Sequence, residues 1–495
     1  MCGVFGIRSA ERDVARLSYF GLFALQHRGQ EAAGIAVSDR GRLTVLRDMG
    51  LVAQIFDEEK LHALPGDVAI GHTRYSTTGS NAWANAQPLV HHGKARTVAL
   101  GHNGNLTNTT ELRAALAADG ISLAATSDTE AIAALIANDP APLEDAVANA
   151  MARLEGAFSC VALSEGKLIA ALIANDPAPL EQAVANAMAR LQGAFSVTAL
   201  AEGKLVGFRD AHGFRPLVLG RLDGDWAIAS ETCALDLVGA ELEREISRGE
   251  LVVIDDDGVT VSQAVPEANG GALCIFEFFY LARPDTRLAG VEVHAARIRM
   301  GERLAKEAPV DADLVMPIPD SGTPAAIGFS RATGIPFSEG LIKNRYVGRT
   351  FIQPDQGLRE QGVKLKFNPL AEVKDKRIVV VDDTIVRGTT TKQIVAMLFE
   401  AGAAEVHVRT AAPPIVSQCY YGIDFADESE LVAAGRTVEE VREHIGATSL
   451  AYLSLEALQA STRRPESSFC RACLTRDYPT AVPREAAKLK FEASV

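Results

Sequence analysis

One segment, residues 379–391, constrains the fold of this chain more than any other. It reads VVVDDTIVRGTTT, so a run of β-forming apolar residues ends in Asp382 and Asp383, and a Gly/Thr-rich stretch then leads into a helical pattern from Thr391. Parallel sheets bind ligands beyond the carboxyl ends of their strands, and the N–H groups of such a loop and helix start attract phosphate. The segment therefore predicts a phosphate site on a parallel sheet, although a plain turn followed by a helix cap would use the same residues.

Apolar strands alternate with helical patterns through the second half of the chain. The clearest strands span residues 314–318 and 377–381, and the clearest helices span residues 324–332 and 391–401. This order predicts an α/β domain with a parallel sheet. The first half instead shows short strands between Gly-containing turns, at residues 34–37, 43–46 and 68–71, with a helix at residues 112–118.

With 495 residues the chain is too long for a single core. We predict a first domain over residues 2–268, a second over residues 269–455 and a C-terminal tail over residues 456–495. The formal charge of −14, from 49 basic and 63 acidic residues, argues against a nucleic-acid partner. No apolar run is long enough to span a bilayer and the N-terminus lacks a signal-peptide pattern, so we expect a cytoplasmic protein with no membrane partner.

Residues 132–168 and 169–205 are near copies in direct tandem. They differ at five positions, which are Asp145/Gln182, Glu155/Gln192, Cys160/Val197, Val161/Thr198 and Ser164/Ala201. Each 37-residue unit predicts one helix followed by one strand, and two units are too few for a stacked solenoid. The repeat is either a duplication or assembly artefact without a new function, or an extra helix–strand pair at the edge of the first domain.

Cys2 follows the initiator methionine, and removal of that methionine would place a thiol beside a free α-amino group. The amino group, with an ordinary pKa of about 8, can take the thiol proton and so activate the sulfur for attack on a carbonyl. Four further segments follow in order, QHRGQEAAG at 26–34, GHTRYS at 71–76, GHNGNL at 101–106 and SDTE at 127–130. Together they resemble class II glutamine amidotransferases, whose α+β fold is a four-layer N-terminal-nucleophile (Ntn) hydrolase sandwich.

The resemblance implies roles for several polar residues of this first domain. The Asn103 side chain and the Gly104 N–H would stabilise the oxyanion formed during attack by Cys2, because preorganised donors stabilise developing charge. Arg74 would hold the α-carboxylate of glutamine, since a planar guanidinium binds a carboxylate at two points. Asp128 would hold the α-ammonium group. Outside this set of motifs, Arg74 or Asp128 would be interpreted as a solvated surface charge.

Residues 379–391 also resemble the fingerprint of type I phosphoribosyltransferases. Two other segments agree, because 317–323 (PIPDSGT) resembles the pyrophosphate-side loop and 343–351 (KNRYVGRTF) resembles the mobile loop that closes over the substrate. The resemblance implies that phosphoribosylpyrophosphate is bound by Lys343, Arg345, Arg349, Asp382, Asp383, Thr384, Arg387, Gly388, Thr389 and Thr390. It also implies Mg²⁺ at Ser321, Asp382 and Asp383, whose oxygen atoms suit this ion.

The seven cysteines are an odd number in an apparently cytosolic chain, so we expect no disulfide framework. Four of them, Cys274, Cys419, Cys470 and Cys473, lie in contexts that resemble the cluster ligands of the iron–sulfur subgroup of the amidophosphoribosyltransferases. That resemblance implies a 4Fe–4S cluster that clamps the C-terminal tail. By ligand count alone a four-cysteine zinc site fits equally, and the same residues could be buried core thiols.

Taken together, the two halves resemble the amidophosphoribosyltransferase family over nearly the whole chain. The resemblance implies that ammonia released from glutamine at Cys2 crosses a shielded path and displaces pyrophosphate from phosphoribosylpyrophosphate, in the first committed step of purine synthesis. It further implies inhibition by purine nucleotides and a homotetramer. The alternatives are another class II amidotransferase and a phosphoribosylpyrophosphate-sensing regulator with an inactive transferase fold.

Overall fold

The structure is a computed structural model that describes most of the chain. The described residues are 2–9, 11–39, 42–75, 82–92, 97–102, 105–106, 109–123, 125, 127, 130, 134, 138, 156–157, 160–164, 167–168, 196–201, 204–223, 225–255, 258–344, 366–423 and 428–480. No described helix is both long enough and apolar enough to cross a membrane.

The first half of the described chain is mainly antiparallel sheet. Its strands are β1 Gly3–Arg8, β2 Ala32–Asp39, β3 Arg42–Met49, β4 Val68–Arg74, β5 Leu89–His92, β6 Thr97–His102, β7 Asn105–Leu106, β8 Gly156–Ala157, β9 Cys160–Ser164, β10 Lys167–Leu168, β11 Ser196–Ala201, β12 Lys204–Arg209, β13 Val218–Leu222, β14 Asp225–Ala229, β15 Glu241–Glu245, β16 Glu250–Asp255 and β17 Gly258–Gln263. Its helices are α1 Val14–Ala24, α2 Val52–Ile55, α3 Glu58–His62, α4 Thr109–Ala118 and α5 Thr232–Val238, with a 3₁₀ turn at Trp83–Asn85. The strands and the helix predicted in this half are confirmed within β2, β3, β4 and α4.

A seven-stranded antiparallel sheet forms the centre of this half, in the order β15-β13-β14-β1-β4-β2-β3. Strand β1 lies in its middle, between β14 and β4. Helices α1 and α5 cover one face, where Phe5 and Ile35 pack with Leu22 and Leu235. The smaller sheets contact β1 and β4 through β6, β9 and β11. The resulting layers follow the predicted N-terminal-nucleophile sandwich.

The two copies of the repeat place their strands in different sheets. In the first copy, β9 pairs with β6 and with β10, so that Leu163 is opposite both Ala99 and Leu168. In the second copy, β11 pairs with β12, and Leu200 is opposite Leu205. Both hairpins thus have the same register, but they belong to separate four-stranded sheets, β10-β9-β6-β5 and β11-β12-β16-β17. The helix predicted in each copy lies outside the described residues.

The second half of the described chain alternates strands and helices. Its strands are β18 Leu273–Cys274, β19 Arg287–Leu288, β20 Val291–Glu292, β21 Leu314–Pro317, β22 Leu341–Lys343, β23 Phe367–Pro369, β24 Arg377–Asp382, β25 Glu405–Thr410, β26 Ser449–Tyr452 and β27 Phe469–Cys470. Its helices are α6 Val293–Glu307, α7 Thr323–Thr333, α8 Thr389–Glu400, α9 Val438–Ile445, α10 Leu455–Thr462 and α11 Ala472–Thr475. A π-helical turn spans Glu277–Leu281, and 3₁₀ turns span Ala371–Val373, Glu428–Glu430 and Glu466–Ser468. The predicted strands and helices of this half are confirmed as β21, β24, α7 and α8.

Four parallel strands, in the order β21-β24-β25-β26, form the core sheet of this half. Both faces are covered, because Val379 packs with Phe329 of α7 while Val380 packs with Ile394 of α8. This explains the unbroken apolar run of β24, since a strand buried on both faces has no polar side. The carboxyl ends of β21 and β24 lie side by side, with Pro317 paired to Val381. Both predicted ligand-binding loops therefore leave the sheet at the same edge.

The C-terminal tail returns to the junction between the two halves. Strand β27 pairs in parallel with β18, which places Cys470 directly opposite Cys274. The Phe278 and Phe469 rings then meet edge to face, with centroids 5.8 Å apart. Strand β27 of the tail is thus packed on β18 and on Phe278, at the start of the second half.

Candidate active sites

Cys2 lies immediately before the central strand β1, and only 6% of its surface is exposed. Its sulfur donates a hydrogen bond to the Tyr75 carbonyl oxygen at 3.5 Å. Its own carbonyl oxygen accepts a hydrogen bond from Nε of Arg28 at 3.3 Å. Hydrogen bonds to its thiol and to its carbonyl oxygen therefore hold the predicted nucleophile at the end of the sheet, next to the last residues of β4.

The segment at residues 26–34 crosses the ends of β1 and β4. A Cβ atom on Gly29 would lie 2.5 Å from the Thr73 carbonyl oxygen, so only glycine permits this close crossing. The Glu31 N–H donates to the Arg74 carbonyl oxygen at 3.1 Å. This contact connects the segment to the strand end beside Cys2.

Arg74 is the last residue of β4 and its side chain is almost completely buried. Its guanidinium forms an ion pair with Glu31 at 3.6 Å. Arg74 directly precedes Tyr75, whose carbonyl oxygen accepts the hydrogen bond of the Cys2 thiol. The end of β4 therefore lies close to Cys2. Three other residues predicted for the glutamine site, Asn103, Gly104 and Asp128, lie outside the described residues.

The predicted phosphate loop follows β24 and ends at the start of α8. Gly388, the residue before the helix, has a φ angle of 75° and no side chain that could cap the first turn. The N–H groups of Thr389 and Thr390 begin this helix, so the dipole and the donors favour a bound anion. Thr384 Oγ1 is buried and has no hydrogen-bond partner among the described residues, so it can donate a hydrogen bond to a polar ligand or accept one from it. Arg387, predicted to contact the substrate, is ion-paired with Glu430, with Nε to Oε2 at 2.9 Å.

The loop after β21 lies against the phosphate loop. The Ile318 N–H donates to the Val381 carbonyl oxygen at 2.8 Å, and the Ser321 hydroxyl donates to the Asp383 carboxylate. Lys343 forms an ion pair with Asp320 of the same loop. Ser321 and Asp383, two of the three predicted Mg²⁺ ligands, thus meet from two loops, and Asp382 is the last residue of β24. Arg345 and Arg349 lie outside the described residues.

Asp382 and Asp383 are both buried, at 8% and 4% exposed. Burial raises the pKa of Asp382 well above its ordinary value, and the neighbouring Asp383 raises it further. Burial also raises the pKa of Asp383, to about 6, although Ser321 and Arg297 oppose the rise. Two carboxylates in one dry site repel each other, and a divalent cation would relieve the repulsion. The donor set and its charge therefore fit Mg²⁺.

A buried ion network that the sequence did not reveal joins the two halves. It consists of His27, Arg28, Arg215, Glu231 and Glu277. The Arg28 guanidinium donates to Glu231 at 2.6 Å and to Glu277 at 3.1 Å. Arg215 donates to Glu277 at 3.3 Å, and Nε2 of His27 lies 2.7 Å from Glu231. His27 and Arg28 lie in the QHRGQ segment and Glu277 lies three residues after Cys274, but the sequence predicted no role for any of them.

Opposite charges inside this network stabilise one another. Burial alone would raise the pKa of Glu231, but His27 and Arg28 together hold it well below its ordinary value. Burial alone would lower the pKa of Arg28, but Glu277 and Glu231 hold it above its ordinary value. Since both groups stay charged, the network is a fixed electrostatic connection beneath the Cys2 site.

The four-cysteine site, defined as Cys274, Cys419, Cys470 and Cys473, gathers thiols from three segments. All four are free, and Cys419 is the most exposed of them. Burial raises the pKa of Cys274 to about 11, with a contribution from Cys419, and the pKa of Cys473 is raised by burial and by each of the other three. The Val416 N–H donates to the Cys473 carbonyl oxygen at 2.9 Å, which connects the two loops. Four thiols that interact in a buried place suit a soft metal centre.

Within the described residues, no group of three or more His, Cys, Asp or Glu side chains is arranged as a formed metal site. The four thiols therefore lie near one another without converging on a common centre. The backbone register of β18 and β27 fixes Cys274 opposite Cys470.

A buried N-terminal cysteine on an N-terminal-nucleophile sandwich, joined to a parallel-sheet domain with a phosphate loop, defines a two-domain amidotransferase. Comparison with protein families gives the same two parts. A glutamine amidotransferase domain model matches residues 72–180, and a phosphoribosyl transferase domain model matches residues 291–416.

Curated relatives cover nearly the whole chain. An amidophosphoribosyltransferase of Mycobacterium bovis is 49% identical, over 98% of this chain and 88% of the relative. One of Synechococcus elongatus is 48% identical, over 99% and 93% respectively. One of Archaeoglobus fulgidus is 44% identical, over 98% and 99%.

Solved structures agree with these relatives. A structure described as the allosteric regulatory enzyme of purine biosynthesis has a TM-score of 0.81 and 40% identity, and it covers 98% of both chains. Glutamine phosphoribosylpyrophosphate amidotransferase from B. subtilis, complexed with ADP and GMP, has a TM-score of 0.80 and 40% identity, over 98% of this chain and 99% of that one.

The chain belongs to the amidophosphoribosyltransferase family, the enzymes of the first step of purine biosynthesis. Glutamine and phosphoribosylpyrophosphate fit its two domains as substrates. This membership sets aside both alternatives, a different class II amidotransferase and a regulator without activity.

Proposed function

We propose that Cys2 is the glutaminase nucleophile of this chain and that the loop at residues 383–390 binds phosphoribosylpyrophosphate. The position of Cys2 carries the proposal, because its thiol lies buried at the end of the central strand and donates to the carbonyl of Tyr75, the residue after Arg74. The domain division at residues 2–268, 269–455 and 456–495 belongs to the same proposal. It is supported by β17, which ends at Gln263, and by β18, which already pairs with the C-terminal tail.

In the glutaminase step, the Cys2 sulfur attacks the side-chain carbonyl carbon of glutamine and forms a tetrahedral intermediate. The α-amino group of Cys2 takes the thiol proton and returns it to the leaving nitrogen, which departs as ammonia and leaves a thioester. Asn103 and Gly104 stabilise the oxyanion, while Arg74 and Asp128 hold the substrate's charged α-groups. Water then hydrolyses the thioester to glutamate.

In the transferase step, ammonia attacks carbon 1 of the ribose and the bond from carbon 1 to the pyrophosphate oxygen breaks. Asp382 and Asp383 face the ribose hydroxyls, and the loop N–H groups with Thr384, Thr389 and Thr390 bind the 5-phosphate. The pyrophosphate is held by Lys343, Arg345, Arg349 and Arg387. Mg²⁺ at Ser321, Asp382 and Asp383 would neutralise the leaving group when bound.

We further assign the chain to the iron–sulfur subgroup, with a 4Fe–4S cluster at the four-cysteine site. Support comes from the register of Cys274 with Cys470 and from the burial of these thiols. A four-cysteine zinc site remains the alternative by ligand type. Iron, zinc and acid-labile sulfide measured on protein purified without oxygen would separate the two, because zinc without sulfide contradicts the cluster.

Regulation by purine nucleotides and assembly as a homotetramer complete the proposal. The first is supported by the B. subtilis relative, which is described in complex with ADP and GMP. Glutamine-dependent activity that is unchanged by AMP, GMP, ADP or GDP would contradict it. A monomer or dimer in light scattering would contradict the tetramer.

The central experiment measures pyrophosphate release from phosphoribosylpyrophosphate with either glutamine or ammonia as the nitrogen source. We expect Cys2→Ala to abolish the glutamine-dependent reaction and to retain the ammonia-dependent one, because the variant keeps the second site intact. Loss of both reactions in a folded Cys2→Ala protein, or retention of both, would contradict the assignment.

A further inference from the structure

A continuous chain of buried contacts leads from the Cys2 carbonyl into the second half of the protein. Arg28 donates from Nε to the Cys2 carbonyl oxygen at 3.3 Å and from its terminal nitrogens to Glu277. The same Glu277 oxygen accepts a hydrogen bond from Arg215 at 3.3 Å. Glu277 is therefore shared between the arginine that holds the nucleophile and a second, more distant arginine.

The second arginine contacts the loop of the four-cysteine site. Arg215 donates to the Tyr421 carbonyl oxygen, and the Tyr421 N–H donates to the Cys419 sulfur at 3.3 Å. The Phe214 and Tyr421 rings stack with centroids 4.3 Å apart, and the Cys274 N–H donates to the Phe214 carbonyl oxygen at 3.1 Å. Two of the four cysteines are thus one or two hydrogen bonds from Arg215 or its neighbour.

Burial makes this chain of contacts stiff. The side chains of Arg28 and Glu277 have no exposed surface, and that of Arg215 is 5% exposed. Water does not replace a contact that breaks in such a place, so a displaced side chain leaves a buried charge without its partner. A change in the position of the Tyr421 carbonyl therefore moves Arg215 and Glu277 together rather than being absorbed locally.

We propose that Arg215 and Glu277 are positioning residues through which the occupancy of the four-cysteine site controls the alignment of the Cys2 nucleophile. The inference rests on the metal centre proposed above. Ligation of Cys419 and Cys274 fixes the backbone at residues 419–421 and 273–274, and thereby fixes Arg215. Loss of ligation releases that end, so Glu277 holds Arg28 less firmly and the Cys2 carbonyl loses a fixed contact.

A centre that only clamped the C-terminal tail would behave differently. Its loss would lower the stability of the whole second half, and it would weaken the phosphoribosyl site at least as much as the glutamine site. The chain of contacts instead predicts a selective effect on Cys2. The two cases are separated by comparing Cys2 reactivity with ammonia-dependent turnover, since the latter does not use Cys2.

The test follows the rate at which a chloroketone analogue of glutamine alkylates Cys2, on protein purified without oxygen, with iron and sulfide measured on the same sample. Loaded and chelator-stripped protein are compared for wild type, Glu277→Gln and Arg215→Lys. Glu250→Gln is the matched control, because Glu250 is a largely buried carboxylate paired with Arg244, outside the buried ion network. Cys2→Ala supplies the background of alkylation at other thiols.

We expect stripping to slow Cys2 alkylation about tenfold in wild type and in Glu250→Gln, the effect of losing roughly one charged hydrogen bond. Ammonia-dependent turnover is expected to change less than twofold in the same samples. Glu277→Gln is expected to show slow Cys2 alkylation even when its four-cysteine site is loaded. Stripping is expected to leave the alkylation rates of Glu277→Gln and Arg215→Lys unchanged, because the chain of contacts is broken in both variants.

Equal alkylation rates for loaded and stripped wild type would overturn the proposal, as would full sensitivity to stripping in both network variants. If Glu277→Gln does not fold, as judged by its ammonia-dependent turnover and circular dichroism, Arg215→Lys alone decides, because it keeps a positive charge beside Glu277. Wild-type protein that binds neither iron nor zinc would reject the metal centre itself, and with it the cysteine end of the proposal.

Discussion

The Glu231 carboxylate accepts a hydrogen bond from the Arg28 guanidinium at 2.6 Å, and neither side chain has any exposed surface. Glu231 also accepts hydrogen bonds from the Thr286 hydroxyl at 2.7 Å and from the Arg283 N–H at 3.0 Å. A residue of the first half thus binds two residues of the second half and the arginine behind Cys2. Glu231 is consequently one of two buried carboxylates, with Glu277, that join the two halves.

Replacement of Glu231 by glutamine is expected to lower the free energy of unfolding by about 3 kcal/mol, because it leaves Arg28 with less compensation for its buried charge. Denaturant unfolding followed by circular dichroism measures the loss. The matched control is Glu243→Gln on the exposed part of β15, for which we expect a change within about 0.5 kcal/mol. An effect for Glu231→Gln no larger than for the control would refute the role of the network.

The stability contributed by Glu231 is expected to depend on pH. Its pKa is held below the ordinary value in the folded protein, so the contribution is complete above the unfolded pKa of about 4.3 and is lost as the pH falls below it. The difference in unfolding free energy between wild type and Glu231→Gln should be about 1 kcal/mol smaller at pH 3.5 than at pH 5. A difference that stays constant down to pH 3.5, or widens, would argue against this pKa.

Asp383→Asn is expected to lower pyrophosphate release about a hundredfold with glutamine and with ammonia alike, because both reactions pass through the phosphoribosyl site. When phosphoribosylpyrophosphate is absent, the glutamine analogue should alkylate Cys2 of Asp383→Asn at the same rate as Cys2 of the wild-type protein. Asp375→Asn is the control, since Asp375 is an exposed turn residue with a φ angle of 59° that asparagine also adopts. A loss confined to the glutamine-dependent reaction would place Asp383 in the wrong site.

The repeat leads to a prediction about the architecture. Strand β9 pairs with β6 along one edge and with the short hairpin strand β10 along the other. Strand β11, its counterpart in the second copy, pairs with the longer hairpin strand β12 along the edge that corresponds to the β10 edge of β9. The two hairpins have the same register. A single copy of the unit therefore supplies one strand that pairs with β6 on one edge and β12 on the other, and gives a continuous sheet in the order β5-β6-β9-β12-β16-β17.

Deletion of residues 169–205 joins Leu168 to Val206 and leaves one complete copy. We expect the shorter protein to retain glutamine-dependent activity and to melt about 2–4 °C higher, because the sheet edges at β10 and β11 and a long insertion are removed. Deletion of residues 132–168 instead is the matched control and should behave alike, since the copies differ at five positions. Inactive or less stable protein from both deletions would mean that the repeat has a structural role.

Local sequence was sufficient for much of the second domain. The apolar run of β24, its two terminal aspartates and the glycine before α8 predicted the strand, the loop and the helix that the structure contains. These features depend on neighbours in sequence, namely a strand buried on both faces, a left-handed Gly388 and an open helix start. The roles predicted for Asn103, Gly104, Asp128, Arg345 and Arg349 rest on motif resemblance and stay predictions.

The amino-acid sequence by itself determined the class of each domain, the motifs that accompany Cys2 and the existence of the repeat. Each of these is recognised from residues that are close together along the chain. Only the tertiary structure decided that Glu277 and Arg215 connect Arg28 to the four-cysteine site, and which sheet each copy of the repeat joined. Ion pairs and strand pairings between distant segments carry no local periodicity. Their partners are selected by burial and by the competition of two similar strands for one edge.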